Sequence, residues 1–150
     1  MMPPASPNRR DHHSARANFA ANPGAVTAAR QYTRQKLTDW GADGQSAAAS
    51  LIVSELASNA VRHAGSGFGL SLTCDHDAVR IVVSDASGVP PVSRHPKAGA
   101  TSGYGLNIVR NLAADWGCIV GDHGKEIWVQ LAGIPNSDLG APVRPPARGR

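Results

Sequence analysis

The segment from residue 23 to residue 64 carries apolar side chains at helical spacing. Val26, Ala29 and Leu37 recur on one face, and this spacing predicts a first helix. Pro23 stands where a first helical turn tolerates proline, and Gly41 follows as a stop signal. We therefore predict a helix from Pro23 to residue 40.

A second helix follows directly along the chain. Asp43 is a candidate N-cap, and Gly65 is a candidate C-terminal stop after Ala64. Between them the apolar stripe consists of Ala48, Leu51, Ile52, Leu56, Ala60 and Val61.

The hydrophobic period then changes from helical to two, which is typical of strands. Residues 68–74 and 78–84 alternate around a turn at 75–77, and this pattern predicts a hairpin. A third helix at 105–115 and two strands at 116–120 and 126–131 come later, while residues 14–21 suit an edge strand. The order β-α-α-β-β-loop-α-β-β predicts an α+β two-layer sandwich, with helices on one face of a mixed, mostly antiparallel sheet.

Segments rich in proline and glycine lie between and around these elements. Residues 86–103 contain too many such residues for regular structure, and a loop of that length is usually functional. Residues 1–13 and 133–150 read as disordered tails. A single domain is therefore expected over residues 14–132.

Composition restricts the class of protein further. The chain has 150 residues, a net charge of +4 and a pI near 9.6, which at first favours a nucleic-acid ligand. Most of the excess positive charge lies in the two tails, however, and the region between them is nearly neutral. A direct nucleic-acid partner is therefore not expected. No run of apolar residues approaches a membrane span, and two cysteines without CxxC spacing favour a reducing cytoplasm.

Three segments carry candidate chemistry. Glu55 and Asn59 stand one turn apart on the predicted second helix, at the border of its apolar stripe. There a carboxylate suits a proton acceptor, and an amide oxygen suits Mg²⁺ beside phosphates and waters. A solvated helix face is the alternative.

The second segment is the end of the strand at residues 78–84, where Asp85 enters a Gly/Pro loop. A carboxylate shielded from water is a strong acceptor for an amino group such as the exocyclic amine of adenine. Gly88 lets the backbone approach a flat base. An ordinary turn after a strand is the alternative.

The third segment opens the predicted third helix with Gly103-Tyr104-Gly105. The free N–H groups and positive dipole of a helix N-terminus favour an anion. The segment does not meet the Rossmann pattern, because Ile108 stands at the position of the third small residue and no strand precedes the glycines. The sequence also has no Walker A motif. A glycine at the helix cap is the alternative.

The order of these segments resembles the GHKL ATPase superfamily, which is built on the Bergerat ATP-binding fold. Within it the chain is most similar to small single-domain anti-sigma-factor serine/threonine kinases. The stretches that carry the resemblance are Ser54-Glu-Leu-Ala-Ser-Asn-Ala-Val-Arg-His-Ala64, Gly103-Tyr-Gly-Leu-Asn-Ile-Val109, Leu112-Ala-Ala-Asp-Trp-Gly117 and Lys125-Glu-Ile-Trp128.

The resemblance implies a role for each matching residue. Asn59 would hold Mg²⁺ on the ATP phosphates, Glu55 would be the general base toward a partner's serine hydroxyl, and Asp85 would bind the adenine amine. Residues 89–102 would form the ATP lid, and its cations would meet the terminal phosphate. The remaining implied residues are Gly88 at the base, Arg94 and Lys97 in the lid, and Gly103, Gly105 and Leu106 at its hinge and the phosphates.

The implied partners are a sigma factor and a small anti-sigma-factor antagonist, with a homodimer as the assembly. One departure favours an alternative function. The superfamily often has Asp-x-Gly-x-Gly at the base, whereas this chain has Asp85-Ala-Ser-Gly88. The alternative is a non-catalytic, nucleotide-responsive module that sequesters a regulatory partner. A histidine-kinase fragment is disfavoured, since no dimerisation helix pair precedes residue 14.

Overall fold

A computed structural model describes residues 12–65, 67–76, 78–86 and 105–131, without the side chains of residues 63, 64 and 105–108. The order of elements within these residues is the predicted one. The elements are β1 (His12–Phe19), α1 (Pro23–Asp39), a short 3-10 helix (Asp43–Gln45), α2 (Ser46–Ala64), β2 (Phe68–Asp75), β3 (Ala78–Asp85), α3 (Gly105–Leu112), β4 (Asp115–Gly121) and β5 (Gly124–Leu131).

The five described strands form one sheet in the order β1-β2-β3-β5-β4. All four pairings between neighbours are antiparallel, so the parallel component of the expected mixed sheet is not found among these strands. β1 lies at one edge, as predicted. β5 enters between β3 and β4, and it therefore occupies the interior of the sheet although it is the last described strand.

The sheet buries one face and the helices cover that face. Inward side chains alternate along β3 and β5, where Val79, Ile81 and Val83 lie beside Ile127 and Val129. On the helical side, α2 contributes a buried stripe that packs on β2 and β3, and it also contacts α1 and α3. These contacts confirm the predicted two-layer α+β fold.

The start of α2 differs from the sequence prediction. Asp43 is not its N-cap, because Asp43 begins a 3-10 helix and α2 begins at Ser46. The backbone N–H of Gln45 donates to the Ala42 carbonyl, and this i to i−3 bond closes the tighter turn around residue 43. The C-terminal stop is confirmed, since Gly65 adopts a left-handed conformation with φ of 61°.

The boundaries of the later elements also move. α3 ends at Leu112 instead of residue 115, because the Ala114 N–H donates to the Gln130 carbonyl of β5 and the chain has joined the sheet. β5 begins at Gly124, two residues earlier than predicted, and β1 begins at His12. Of the predicted tails and loop at 1–13, 86–103 and 133–150, the structure describes His12 and His13, which belong to β1, and Ala86. The other residues of these segments lie outside the described residues. None of the helices in the described part has the length and apolar character needed to cross a membrane.

Candidate functional site

Asp85 and Lys125 form a buried ion pair at one end of the sheet. The two residues lie directly opposite each other on β3 and β5, 40 residues apart in the sequence. Lys125 Nζ donates to Asp85 Oδ1 at 3.1 Å and lies 3.0 Å from Oδ2. Their side chains are 5% and 3% exposed, for Lys125 and Asp85 respectively. The pair is therefore withdrawn from water and is held at both carboxylate oxygens.

Apolar residues flank the pair on both sides in the sheet. Phe68 pairs with Asp85 on β2 and is buried, while Val120 pairs with Lys125 on the edge strand β4 and is 48% exposed. Gly124 permits a further close approach at this end. It has φ of 142°, and a Cβ there would collide with the Asp85 carbonyl oxygen. Gly124 therefore allows the β4–β5 turn to lie against the backbone at the end of β3, where a side chain would not fit.

Cys118 is a titratable neighbour of the ion pair. It pairs with Ile127, one inward row from Lys125. Burial raises the pKa of the Cys118 thiol, the charge of Lys125 lowers it, and the charge of Asp85 raises it. The thiol therefore responds to both members of the pair.

Glu55 and Asn59 lie on α2, one turn apart. Both side chains are half-buried, whereas their neighbours Leu56 and Ala60 are buried in the core. The two polar groups thus follow the edge of the buried stripe. A half-buried carboxylate at this edge can be reached from outside and can exchange a proton with a bound molecule.

The chain connection brings the C-terminal end of α2 and Asp85 to the same end of the domain. α2 ends at Ala64 and β2 begins at Phe68, opposite Asp85. Four residue steps span at most about 14 Å, so the last turns of α2 lie near this end of the sheet. Asn59 is one turn closer to Ala64 than Glu55 is. Asn59 is therefore the nearer of the two residues, along the helix, to the end of α2 that leads into β2.

A cavity of about 400 Å³ opens beside Asp85, within the size range of small-molecule sites. Glu55 and Asn59 do not line it, so it belongs to the strand-end part of the site alone. Its lining among the described residues is Asn18, Phe19, Gly67, Phe68, Gly69, Ser84, Asp85, Ala86 and His123.

Several predicted site residues cannot be placed against this geometry. Gly88, Arg94, Lys97 and Gly103 lie outside the described residues. Gly105 begins α3, which packs on α2, and Leu106 follows it in the helix. The backbone start of α3 is thus on the same helical layer as Glu55 and Asn59, and the roles of these residues stay predictions.

Lys125 is the residue that sequence reasoning missed as part of the site. The predicted last strand begins at residue 126, so the prediction does not place Lys125 on a strand. Extending the alternation of Leu131, Val129 and Ile127 back by one step places Lys125 on the buried face. A buried lysine requires an acidic partner, and Asp85 ends a neighbouring strand.

Comparisons with known proteins agree with this architecture. Residues 19–131 match the family model of the histidine kinase-like ATPase domain. A search of curated proteins returns no match. Among solved structures, the crystal structure of the RsbU and RsbW domains of Rv1364c from Mycobacterium tuberculosis aligns with a TM-score of 0.62 and 21% identity.

That alignment covers 79% of this chain and 32% of the other, so the chain spans about a third of the solved structure, and the likeness concerns the fold. The family model covers most of the chain, and the predicted superfamily is confirmed. We conclude that the chain belongs to the histidine kinase-like ATPase domain family, an ATP-binding family.

Proposed function

We propose that the protein is an ATP- and Mg²⁺-dependent serine/threonine kinase of the anti-sigma-factor type. It binds a sigma factor and phosphorylates a small anti-sigma-factor antagonist. The observation that supports this most is the position of Glu55 and Asn59 on one half-buried edge of α2, whose end leads to the Asp85–Lys125 pair. The sequence resemblance and the fold shared with a structure that contains an RsbW domain support the same proposal.

The side chains present fit these ligands chemically. The Asp85 carboxylate lies beside a cavity and can accept a hydrogen bond from the exocyclic amine of adenine. The Asn59 amide oxygen is a neutral, hard ligand of the kind that Mg²⁺ accepts beside phosphates and waters. When bound with Mg²⁺, ATP would supply the phosphoryl group for transfer.

Glu55 is the general base in this proposal. Its carboxylate would take the proton from the serine hydroxyl of the antagonist as the hydroxyl oxygen attacks the terminal phosphorus. The bond from that phosphorus to the bridging oxygen would break, and ADP would leave with the bridging oxygen and its electron pair. Phosphoryl transfer depends mainly on positioning and charge neutralisation. For that neutralisation we retain Arg94 and Lys97 as cations for the terminal phosphate. In this proposal the backbones at Gly103, Gly105 and Leu106 would meet the phosphates, and Gly88 would meet the base.

The test separates nucleotide binding from transfer. Purified protein is incubated with Mg-ATP and candidate antagonists, and ATP affinity is measured by calorimetry. Asp85→Asn should lose ATP binding, whereas Glu55→Ala should keep it and lose phosphotransfer by about 10²–10⁴-fold. Glu126→Gln is the matched control, because it changes the other glutamate of the chain, which is exposed. Transfer by Glu55→Ala at the wild-type rate would overturn the role of Glu55.

A second candidate function is a nucleotide-responsive module that sequesters its partner without catalysis. The observation that favours it is the departure at Asp85-Ala-Ser-Gly88, together with the engagement of both Asp85 oxygens by Lys125. Saturable binding of a sigma factor with neither hydrolysis nor transfer would establish this candidate and overturn the kinase.

The proposal has two further parts, its setting and its assembly. We place the protein in the cytoplasm, where sigma factors act, and we expect a homodimer. Sedimentation velocity at micromolar concentration tests the dimer, and a single monomeric species would overturn it.

A further inference from the structure

We infer that Lys125 is a positioning residue that fixes Asp85 for recognition of the base and thereby sets nucleotide specificity. This inference rests on the proposed function, because it takes Asp85 as the acceptor of the adenine amine. It adds a residue to which neither the motifs nor the family resemblance assigns a role.

The geometry of the ion pair limits the rotation of the carboxylate. The terminal torsion of an aspartate side chain is broad and roughly two-fold, so a single contact leaves it loosely defined. Here one ammonium nitrogen lies at nearly equal distances, 3.1 and 3.0 Å, from both oxygens of Asp85. The plane of the carboxylate is therefore held between the strand and the ammonium group.

Packing alone does not call for a charged pair at this position. The next inward row consists of Leu70, Val83, Ile127 and Cys118, and apolar side chains there fill the core. Replacing a buried ion pair by apolar residues of similar volume is often neutral or stabilising. A function that needs a carboxylate at the strand end would explain Lys125, because the lysine offsets the negative charge that Asp85 buries there.

The held carboxylate distinguishes bases by the group at purine position 6. An amine at this position donates a hydrogen bond to the carboxylate. An oxygen at the same position is an acceptor, and it cannot form a hydrogen bond with the carboxylate, which is also an acceptor. A hydrogen bond to a charged group contributes about 1.5–3 kcal/mol, which is roughly a 10- to 150-fold difference in affinity. Without Lys125, the terminal torsion of Asp85 loses the restraint that the ammonium group places on both oxygens, and the carboxylate can turn away from an oxygen at position 6. Loss of Lys125 should therefore remove the discrimination.

The experiment measures the ratio of dissociation constants for ATP and inosine triphosphate, both with Mg²⁺, by calorimetry. Inosine triphosphate carries an oxygen where ATP carries the exocyclic amine. A destabilised variant lowers the folded fraction equally for both nucleotides, so the ratio does not depend on stability. The first variant, Lys125→Met, removes the charge. The second, Lys125→Arg, keeps the positive charge and can still donate to both carboxylate oxygens. The control is Arg80→Met, which removes a cation that contacts Trp128 on the opposite face of the sheet.

We expect the wild type and Arg80→Met to prefer ATP by at least about tenfold. The ratio for Lys125→Arg should stay within about threefold of the wild-type ratio. Lys125→Met should prefer ATP by less than about threefold. A Lys125→Met ratio equal to that of the wild type overturns the positioning role and leaves the proposed function intact. A wild type that binds neither nucleotide, or both equally, overturns the recognition of adenine by Asp85 and this inference with it.

Discussion

The two candidate carboxylates of the site lie in different layers and in different environments. Glu55 projects from α2 at the edge of the core and is half-buried, whereas the Asp85 side chain is 3% exposed and bound by Lys125. Exposure allows a group to meet a second protein and to exchange a proton. Burial in an ion pair fixes the group in one orientation. The difference fits the proposed roles, in which Glu55 takes part in phosphoryl transfer and Asp85 in recognition of the base.

The same comparison predicts which carboxylate matters for the fold. Removing the partner of a buried charge is costly, while changing a half-buried side chain at the edge of a helix usually has a small effect. Substitutions at the sheet end should therefore alter both stability and binding, and a substitution at Glu55 should alter catalysis alone.

The largest expected effect on stability comes from breaking the buried pair. Lys125→Met should lower the free energy of unfolding by about 3–5 kcal/mol, because the Asp85 carboxylate stays buried without its lysine. Glu55→Gln should change it by less than about 0.5 kcal/mol. Urea unfolding followed by tryptophan fluorescence measures both. The double variant Asp85→Asn/Lys125→Met removes both charges and should recover most of the loss. Equal stability of Lys125→Met and the wild type would contradict the contrast between the two layers.

A smaller loss is expected from the turn that closes over Asp85. Gly124→Ala places a Cβ against the Asp85 carbonyl and requires a non-glycine residue at φ of 142°, which should cost about 1–3 kcal/mol. Gly121→Ala in the same turn is the matched control, since its Cβ would meet the nearest atom at 3.9 Å. Thermal unfolding compares them. If the two alanine variants melt together, the close approach at Gly124 does not constrain the sheet end.

The smallest expected effect is a change in the reactivity of Cys118. Its pKa is raised by burial, so alkylation by iodoacetamide should be slow at neutral pH and should accelerate as the pH rises through the raised value. Lys125 lowers this pKa, so Lys125→Met should slow alkylation a few-fold, and Asp85→Asn should accelerate it. Glu55→Gln should leave the rate unchanged, since Glu55 is not among the groups that shift this pKa. Cys118→Ser gives the background from the buried Cys74. Faster alkylation in Lys125→Met, or slower alkylation in Asp85→Asn, would show that the charges of the ion pair do not set the pKa of Cys118.

The fold was predictable because its signals are local. The change of period from helical to two, and the glycine at residue 65, define the order of α2 and β2 and the end of α2 without knowledge of contacts. The start of α2 was not predicted, because a 3-10 turn and an N-capped α-helix place the same small polar residues near Asp43.

The site was predictable only in part, for a related reason. Glu55 and Asn59 are one turn apart, and that relation can be read from spacing. The partner of Asp85 lies 40 residues away, and it is determined by the register between β3 and β5. The alternation along β5 places Lys125 on the buried face, but no local pattern specifies which residue of β3 lies opposite it.

The interior position of β5 has a consequence for the newly made protein. Until residues 124–131 have been synthesised, β3 has no partner on that edge and Asp85 has no lysine opposite it. The segments that carry Glu55 and Asn59 leave the ribosome earlier, because chains emerge from the N-terminus. Under the proposed function, the segment with the proposed general base is therefore made before the lysine that holds Asp85. On that proposal, the protein can select its nucleotide only after β5 has been synthesised and has entered the sheet between β3 and β4.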